Sequence, residues 1–151
     1  MDTVLKIKRQ KSPAEAPYWE SFTLPRVPNS NLISALMEIQ RRPLNAQGQA
    51  TAPVVWDSNC LEEVCGACTM VVNGRVRQAC SALMDSLGTF VTVEPMTKFP
   101  VVRDLVVDRS RMFEGLKQVH AWVSIDGTWE QGPGPRQSPE AQETAYKLSE
   151  C

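Results

Sequence analysis

Residues 60–80 read CLEEVCGACTMVVNGRVRQAC, and four of the chain's five cysteines fall inside this stretch: Cys60, Cys65, Cys68 and Cys80. The spacing C-x4-C-x2-C-x11-C opens with the arrangement that holds plant-type 2Fe–2S clusters. The hairpin in the middle of the stretch explains how so long a last gap closes. Thr69–Val72 and Arg75–Gln78 flank Asn73-Gly74, a pair that favours the two-residue type I′ turn because both positions need a positive φ. Such a turn pairs residue 72 with 75, and the same register sets 68 opposite 79. Cys80 then returns beside Cys68 at roughly one strand spacing, ~5 Å. The register leaves Cys80 one residue off and on the opposite face, so the strand end must bend or bulge. Gly66 suits a loop whose backbone wraps closely around inorganic sulfide and donates an N–H to it.

Four thiolates at one point hold a metal, form disulfides or lie idle. A zinc ribbon wants two C-x2-C hooks, and this stretch has one, with Cys60 five residues ahead of it and Cys80 alone. Disulfides suit an oxidising compartment and small domains. Here the start MDTVLKIKRQK alternates Leu5 and Ile7 with Lys6 and Lys8, the pattern of a strand and not of a signal peptide, so a reducing cytosol is the expected compartment. Four unrelated buried thiols rarely show such spacing. A metal centre is the reading that fits.

The chain of 151 residues suffices for one domain and a fraction of another. A globule of this size buries about 70% of its unfolded surface and needs no disulfide staples. With 42% hydrophobic and 22% charged residues and a net charge of −1, it carries no electrostatic footprint for nucleic acid or an anionic membrane. No apolar run approaches the ~20 residues of a spanning helix.

Around the cysteines the hydrophobic period changes along the chain. Strands are expected at Thr3–Arg9, Tyr18–Leu24 and Thr89–Val93, and an extended stretch at Val101–Val107. In PNSNLISALMEIQRR, Leu32, Ile33, Leu36, Met37 and Gln40 form a helical face, with Asn29 or Ser30 as N-cap, Arg41 and Arg42 at the electronegative end, and Pro43 as the stop. From Asp108 the pattern is helical again, with Met112, Phe113, Leu116 and Val119 on one face. The stretch DGTWEQGPGPRQSPE is a turn-rich linker. Ser138, followed by Pro139, caps a last helix bearing Ala141, Ala145 and Leu148. The class is α+β to about residue 107, followed by helical material.

The sequence offers little for other chemistry. His120 is the only histidine, no G-x-S-x-G, H-E-x-x-H or P-loop accompanies it, and it reads as an ordinary helix-end residue. Glu62 and Glu63 inside the cysteine loop read as solvated charges that tune a cluster or meet a partner only secondarily. The run Arg103, Asp104, Asp108, Arg109 and Arg111 reads as a mixed solvated face. Among Trp19, Trp56, Trp122 and Trp129, Trp56 stands near enough to the loop to shield it from water, and the Gly132-Pro133-Gly134-Pro135 run is a stiff turn. No acid–base or nucleophilic residue is assigned.

The longer stretch CLEEVCGACTMVVNGRVRQACSAL resembles the 2Fe–2S loop of the iron–sulfur subunit of succinate dehydrogenase/fumarate reductase. Its spacing also resembles the small iron–sulfur subunit of molybdenum hydroxylases. The flanks VVWDSNC and EPMTKFPVVRDLVVDRSRMFEGLKQVHAW are similar to the former family, and no second cysteine set lies between Cys80 and Cys151. The resemblance implies a β-grasp, 2Fe–2S ferredoxin-like domain over residues 1–107 and the beginning of a helical 4Fe–4S ferredoxin-like domain over 108–151. It implies Cys60, Cys65, Cys68 and Cys80 as 2Fe–2S ligands. The ending AYKLSEC resembles the approach to the next ligand run, which makes Cys151 a 4Fe–4S ligand; 4Fe–4S and 3Fe–4S clusters are expected only if the chain continues. The implied partners are a flavoprotein (FAD) subunit and membrane-anchor subunits, with the chain peripheral on the inner face of the bacterial cytoplasmic membrane. The implied task is relaying single electrons between flavin and quinone. A molybdenum hydroxylase subunit and a stand-alone 2Fe–2S ferredoxin are the alternatives.

Overall fold

The computed structural model describes residues 2–119, 121, 136 and 138–149. The chain divides into two compact units, Met1–Asp108 and Arg109–Cys151.

The first unit is built on a five-stranded mixed sheet in the order β2-β1-β5-β3-β4. Strand β1 (Asp2–Arg9) alternates strictly, with Thr3, Leu5, Ile7 and Arg9 buried on one face. It pairs antiparallel with β2 (Tyr18–Pro25), Leu5 facing Phe22, and parallel with β5 (Phe90–Glu94), Leu5 facing Val91. Strand β3 (Thr69–Val72) lies antiparallel to β5 on one side and to β4 (Arg75–Gln78) on the other. The parallel β1–β5 pair needs a long crossover, and the intervening chain supplies the helix that covers the sheet.

That helix, α1 (Leu32–Arg41), buries Leu32, Ile33, Ala35, Leu36 and Ile39. These join Leu5, Ile7, Phe22, Met70, Val72, Val91 and Val93 in one core, which also takes in Cys68, Ala79 and Cys80. Each aliphatic side chain fully withdrawn from water there contributes about 1.5–3 kcal/mol before entropy is counted. Two expectations for α1 shift. Met37 is 56% exposed, because the buried stripe runs 32, 35, 36, 39 and leaves residue 37 on its flank. The N-cap is Asn31, whose Oδ1 accepts from Ser34 N at 3.0 Å. Asn29 lies two residues too early, at φ 58°, in a turn tied to Asp85 through its own N–H at 2.9 Å.

The β3–β4 turn follows the expected geometry: Asn73 and Gly74 have φ 49° and 76°, and Val72 pairs with Arg75. Asn73 adds a bond in each direction to Thr92 on β5, donating its N–H at 2.9 Å and accepting at Oδ1 from Thr92 N at 2.8 Å. After the single turn α2 (Met84–Leu87) and β5, the segment expected to be extended forms the small hairpin β6 (Val101–Arg103) and β7 (Val106–Val107). Asp104, at φ 47°, makes its corner.

In the second unit, α3 (Ser110–Gln118) leaves Met112, Phe113, Leu116 and Val119 exposed, so the expected face exists but is uncovered among the described residues. Helix α4 (Pro139–Ser149) begins as expected, with Ala141 N donating to Ser138 Oγ at 3.2 Å. His120, Trp122, Trp129, the Gly-Pro run and Cys151 lie outside the described residues. Among the described residues no helix is long and apolar enough to cross a membrane.

Candidate metal centre

The structure brings all four clustered cysteines together, and it does so as two pairs. The outer pair is Cys60 and Cys65, near the surface of the loop that leads into β3. Cys60 N donates to Cys65 Sγ at 3.4 Å, and Cys65 N donates to Cys60 Sγ at 3.3 Å. The inner pair is Cys68 and Cys80, 2% and 7% exposed, close enough for Cys68 to act on the Cys80 thiol. None of these cysteines is in a disulfide. Ala79 N donates to Cys68 O at 3.1 Å, one step beyond the Thr69–Gln78 pair. The hairpin register therefore places residue 68 against 79, as the turn dictates.

The loop is shaped to receive negative charge on sulfur. Leu61, Glu63 and Gly66 all take left-handed φ values, 61°, 60° and 71°, and such reversals turn successive backbone N–H groups towards one concave side. Four N–H groups point at the outer sulfurs: Glu62 N and Cys65 N at Cys60 Sγ, and Cys60 N and Ala67 N at Cys65 Sγ, all at 3.3–3.4 Å. Donors from Cys65, Glu62 and Val64 draw the Cys60 thiol down from its ordinary range to about 7. Burial, and then the neighbouring Cys68, push the Cys80 thiol up. Gly66 meets the loop's need through its φ and not through crowding, since a Cβ there would sit 3.7 Å from Thr69 Oγ1, an ordinary contact.

Among the described residues no three His, Cys, Asp or Glu side chains converge closely enough to hold a single ion. Two thiol pairs offset from each other, with N–H donors around the outer one, suit a binuclear centre in which each pair serves one iron.

Three supports hold the site, and the sequence reading missed them. Asn31, besides capping α1, donates its Nδ2 to Cys80 O at 2.9 Å, and Leu32 N donates to Ala82 O at 2.9 Å. The start of the helix thus anchors the fourth cysteine. Arg9 and Asp104, each 1% exposed, form a bidentate pair at 2.9 and 3.0 Å. Arg9 also reaches Glu20 Oε2 at 2.6 Å and the carbonyls of Ala52 and Pro53. Asp104 accepts from Val55 N at 2.9 Å, and Leu105 N donates to Val55 O at 3.1 Å. This network fixes the approach to Cys60 and corrects the reading of Asp104 as part of a solvated face. The signal was present: Arg9 continues the buried phase of β1, and a charge in that phase requires a partner. The third support is Glu63, which the structure engages through both backbone and side chain. Trp56 packs partly buried against the core that contains Cys68 and Cys80, its Nε1 buried without an acceptor among the described residues.

Comparison with known proteins agrees with this geometry. Residues 4–114 match the model of the 2Fe-2S iron-sulfur cluster binding domain. The chain is 57% identical to the succinate dehydrogenase iron-sulfur subunit of Bacillus subtilis, over 96% of its own length and 57% of that protein's. It is 32% identical to the fumarate reductase iron-sulfur subunit of Mycobacterium tuberculosis, over 80% of this chain and 47% of that one. Among solved structures it superposes on a chain of the Mycobacterium smegmatis Sdh1 complex with a TM-score of 0.67 and 26% identity, covering 92% of this chain and 54% of that one. The chain spans about half the length of these relatives. With the cysteine loop, the hairpin register and the mixed sheet all inside the matched region, the chain belongs to the family of 2Fe-2S iron-sulfur cluster binding domains.

Proposed function

We propose that the chain is the 2Fe–2S part of the iron–sulfur subunit of a succinate dehydrogenase/fumarate reductase, relaying single electrons between a flavoprotein (FAD) subunit and quinone. The observation that carries this reading is the two-pair arrangement of Cys60/Cys65 and Cys68/Cys80 in a chain 57% identical to a succinate dehydrogenase iron-sulfur subunit. In it the four thiolates are the ligands of the cluster. One-electron storage is the chemistry a bound 2Fe–2S cluster supplies, while the chain's own residues set the conditions. The backbone N–H groups at the outer pair stabilise added negative charge, which raises the reduction potential. The core around Cys68 and Cys80 keeps water from the inner pair. The outer pair near the surface gives a partner a short path for electron transfer.

The finer assignments belong to the same proposal. Residues 1–107 form the cluster domain, and 108–151 begin a helical domain in which Cys151 is the first thiolate of a 4Fe–4S centre. If the chain continues beyond residue 151, the 3Fe–4S centre and the membrane-anchor contact fall in that continuation, at the inner face of the cytoplasmic membrane. The test is reduction through the partner. The chain, loaded with iron and sulfide and mixed with the flavoprotein subunit of a succinate dehydrogenase complex, is expected to bleach in the visible on addition of succinate and not without the flavoprotein. Reduction by dithionite but never by succinate in that mixture contradicts the assignment to this complex.

A further inference from the structure

Three of the clustered thiols sit on one loop and the fourth on the far end of a hairpin, so the site exists only while those two segments stay in register. The Ala79 N to Cys68 O bond secures the inner end. At the outer end a single residue makes two connections. The Glu63 carbonyl accepts from Gln78 Nε2 at 3.2 Å. Glu63 Oε1 lies 2.7 Å from Ser81 Oγ, which is 3.2 Å from the Gln78 carbonyl as well. The single hydroxyl proton goes to the nearer, charged acceptor. All the partners lie within residues 78–81, the segment that carries Cys80, and Glu63 holds this position at φ 60°, a conformation that favours glycine. A side chain kept where glycine is easier indicates a contact that offsets the strain.

We propose that Glu63 and Ser81 form a clasp that positions Cys80 on the cluster and slows the cluster's loss; Glu63 is a positioning residue and not a ligand. The inference rests on the cluster reading above. With the clasp closed, the loop tip is tied across to the strand end, and opening it exposes the sulfurs to chelator and solvent. A charge-assisted hydrogen bond of this kind, once removed, corresponds to a change of about tenfold in the opening equilibrium.

The full chain carrying a reconstituted 2Fe–2S cluster tests the clasp in two readouts: the half-life of its visible absorbance in excess EDTA, and its visible circular dichroism, which reports how the cysteines hold the cluster. Ser81→Ala is expected to shorten the half-life about tenfold and to alter the dichroism. Ser81→Thr, which restores a hydroxyl, is expected to return both towards the unmodified values. Glu63→Ala is expected to match Ser81→Ala, and if that variant fails to fold, the Ser81 pair decides alone. A Ser81→Ala chain with unchanged half-life and dichroism overturns the clasp, as does a loss that Ser81→Thr fails to restore. An unmodified chain that takes up no cluster instead refutes the functional reading itself, so the two failures are distinct.

Discussion

Asp104→Ala is the substitution from which the structure predicts the largest loss outside the hydrophobic core. The carboxylate is 1% exposed and accepts four hydrogen bonds: two from Arg9, one from Gln10 N at 3.1 Å and one from Val55 N at 2.9 Å. Removing it leaves the Arg9 guanidinium buried, with Glu20 as its one remaining anionic partner among the described residues. It also leaves two backbone N–H groups without their acceptor. Breaking one side of a buried ion pair typically costs about 3–5 kcal/mol, most of it the penalty on the stranded charge. A domain of this size has only about 5–15 kcal/mol in total. With a urea slope of about 1–3 kcal/mol/M, the unfolding midpoint is expected to fall by roughly 2 M, read by circular dichroism on the apo chain. The companion variant Arg9→Met with Asp104→Leu removes both charges and is expected to recover much of that loss, because no buried charge is left unpaired. A shift for Asp104→Ala that corresponds to under ~1 kcal/mol refutes the reasoning, since that is the scale of an exposed pair.

Two further outcomes follow from particular backbone and side-chain states. Gly74→Ala meets no atom within 4 Å, so its cost is that of a positive φ alone, about 1 kcal/mol by urea unfolding; a loss of several kcal/mol, or none, contradicts the type I′ turn. In the apo chain, alkylation of Cys60 by iodoacetamide, resolved by mass mapping, is expected to rise with pH to a midpoint at about 7. In urea the midpoint should return towards ~8.5. Because the folded value is the lower one, the stabilisation from this thiolate is present above the unfolded value and is lost as pH falls through about 7. Alkylation of Cys60 and Cys80 with one common midpoint above 8 contradicts the role given to the loop N–H groups.

Much of the site was legible because its geometry is written in short-range signals. The dipeptide Asn73-Gly74 determines a turn, the turn determines a register, and the register brings residue 80 back to residue 68. Strand β1 was legible from its alternation, and Ser138-Pro139 announced α4. What escaped depends on contacts between distant segments. Whether Asp104 faces water or Arg9 is decided by a partner 95 positions away in the chain, and nothing local in Arg103-Asp104-Leu105 distinguishes the two. Likewise Glu63 looks like a loop charge until Ser81, 18 residues later, is placed beside it. Met37 was read as part of the apolar face because it adjoins Leu36 there, but the buried stripe of α1 leaves it on the exposed flank. Asn31 was passed over for its neighbours because three candidate caps stand in a row, and only the direction of the incoming chain selects one.

The central claim is that Cys60, Cys65, Cys68 and Cys80 together hold one 2Fe–2S cluster, and the most direct measurement is metal and sulfide content after anaerobic reconstitution, with electron paramagnetic resonance on the reduced chain. The account predicts about two irons and two acid-labile sulfides per chain and a paramagnetic signal on one-electron reduction. It also predicts loss of both in Cys80→Ala. A colourless chain with one zinc and no labile sulfide contradicts it.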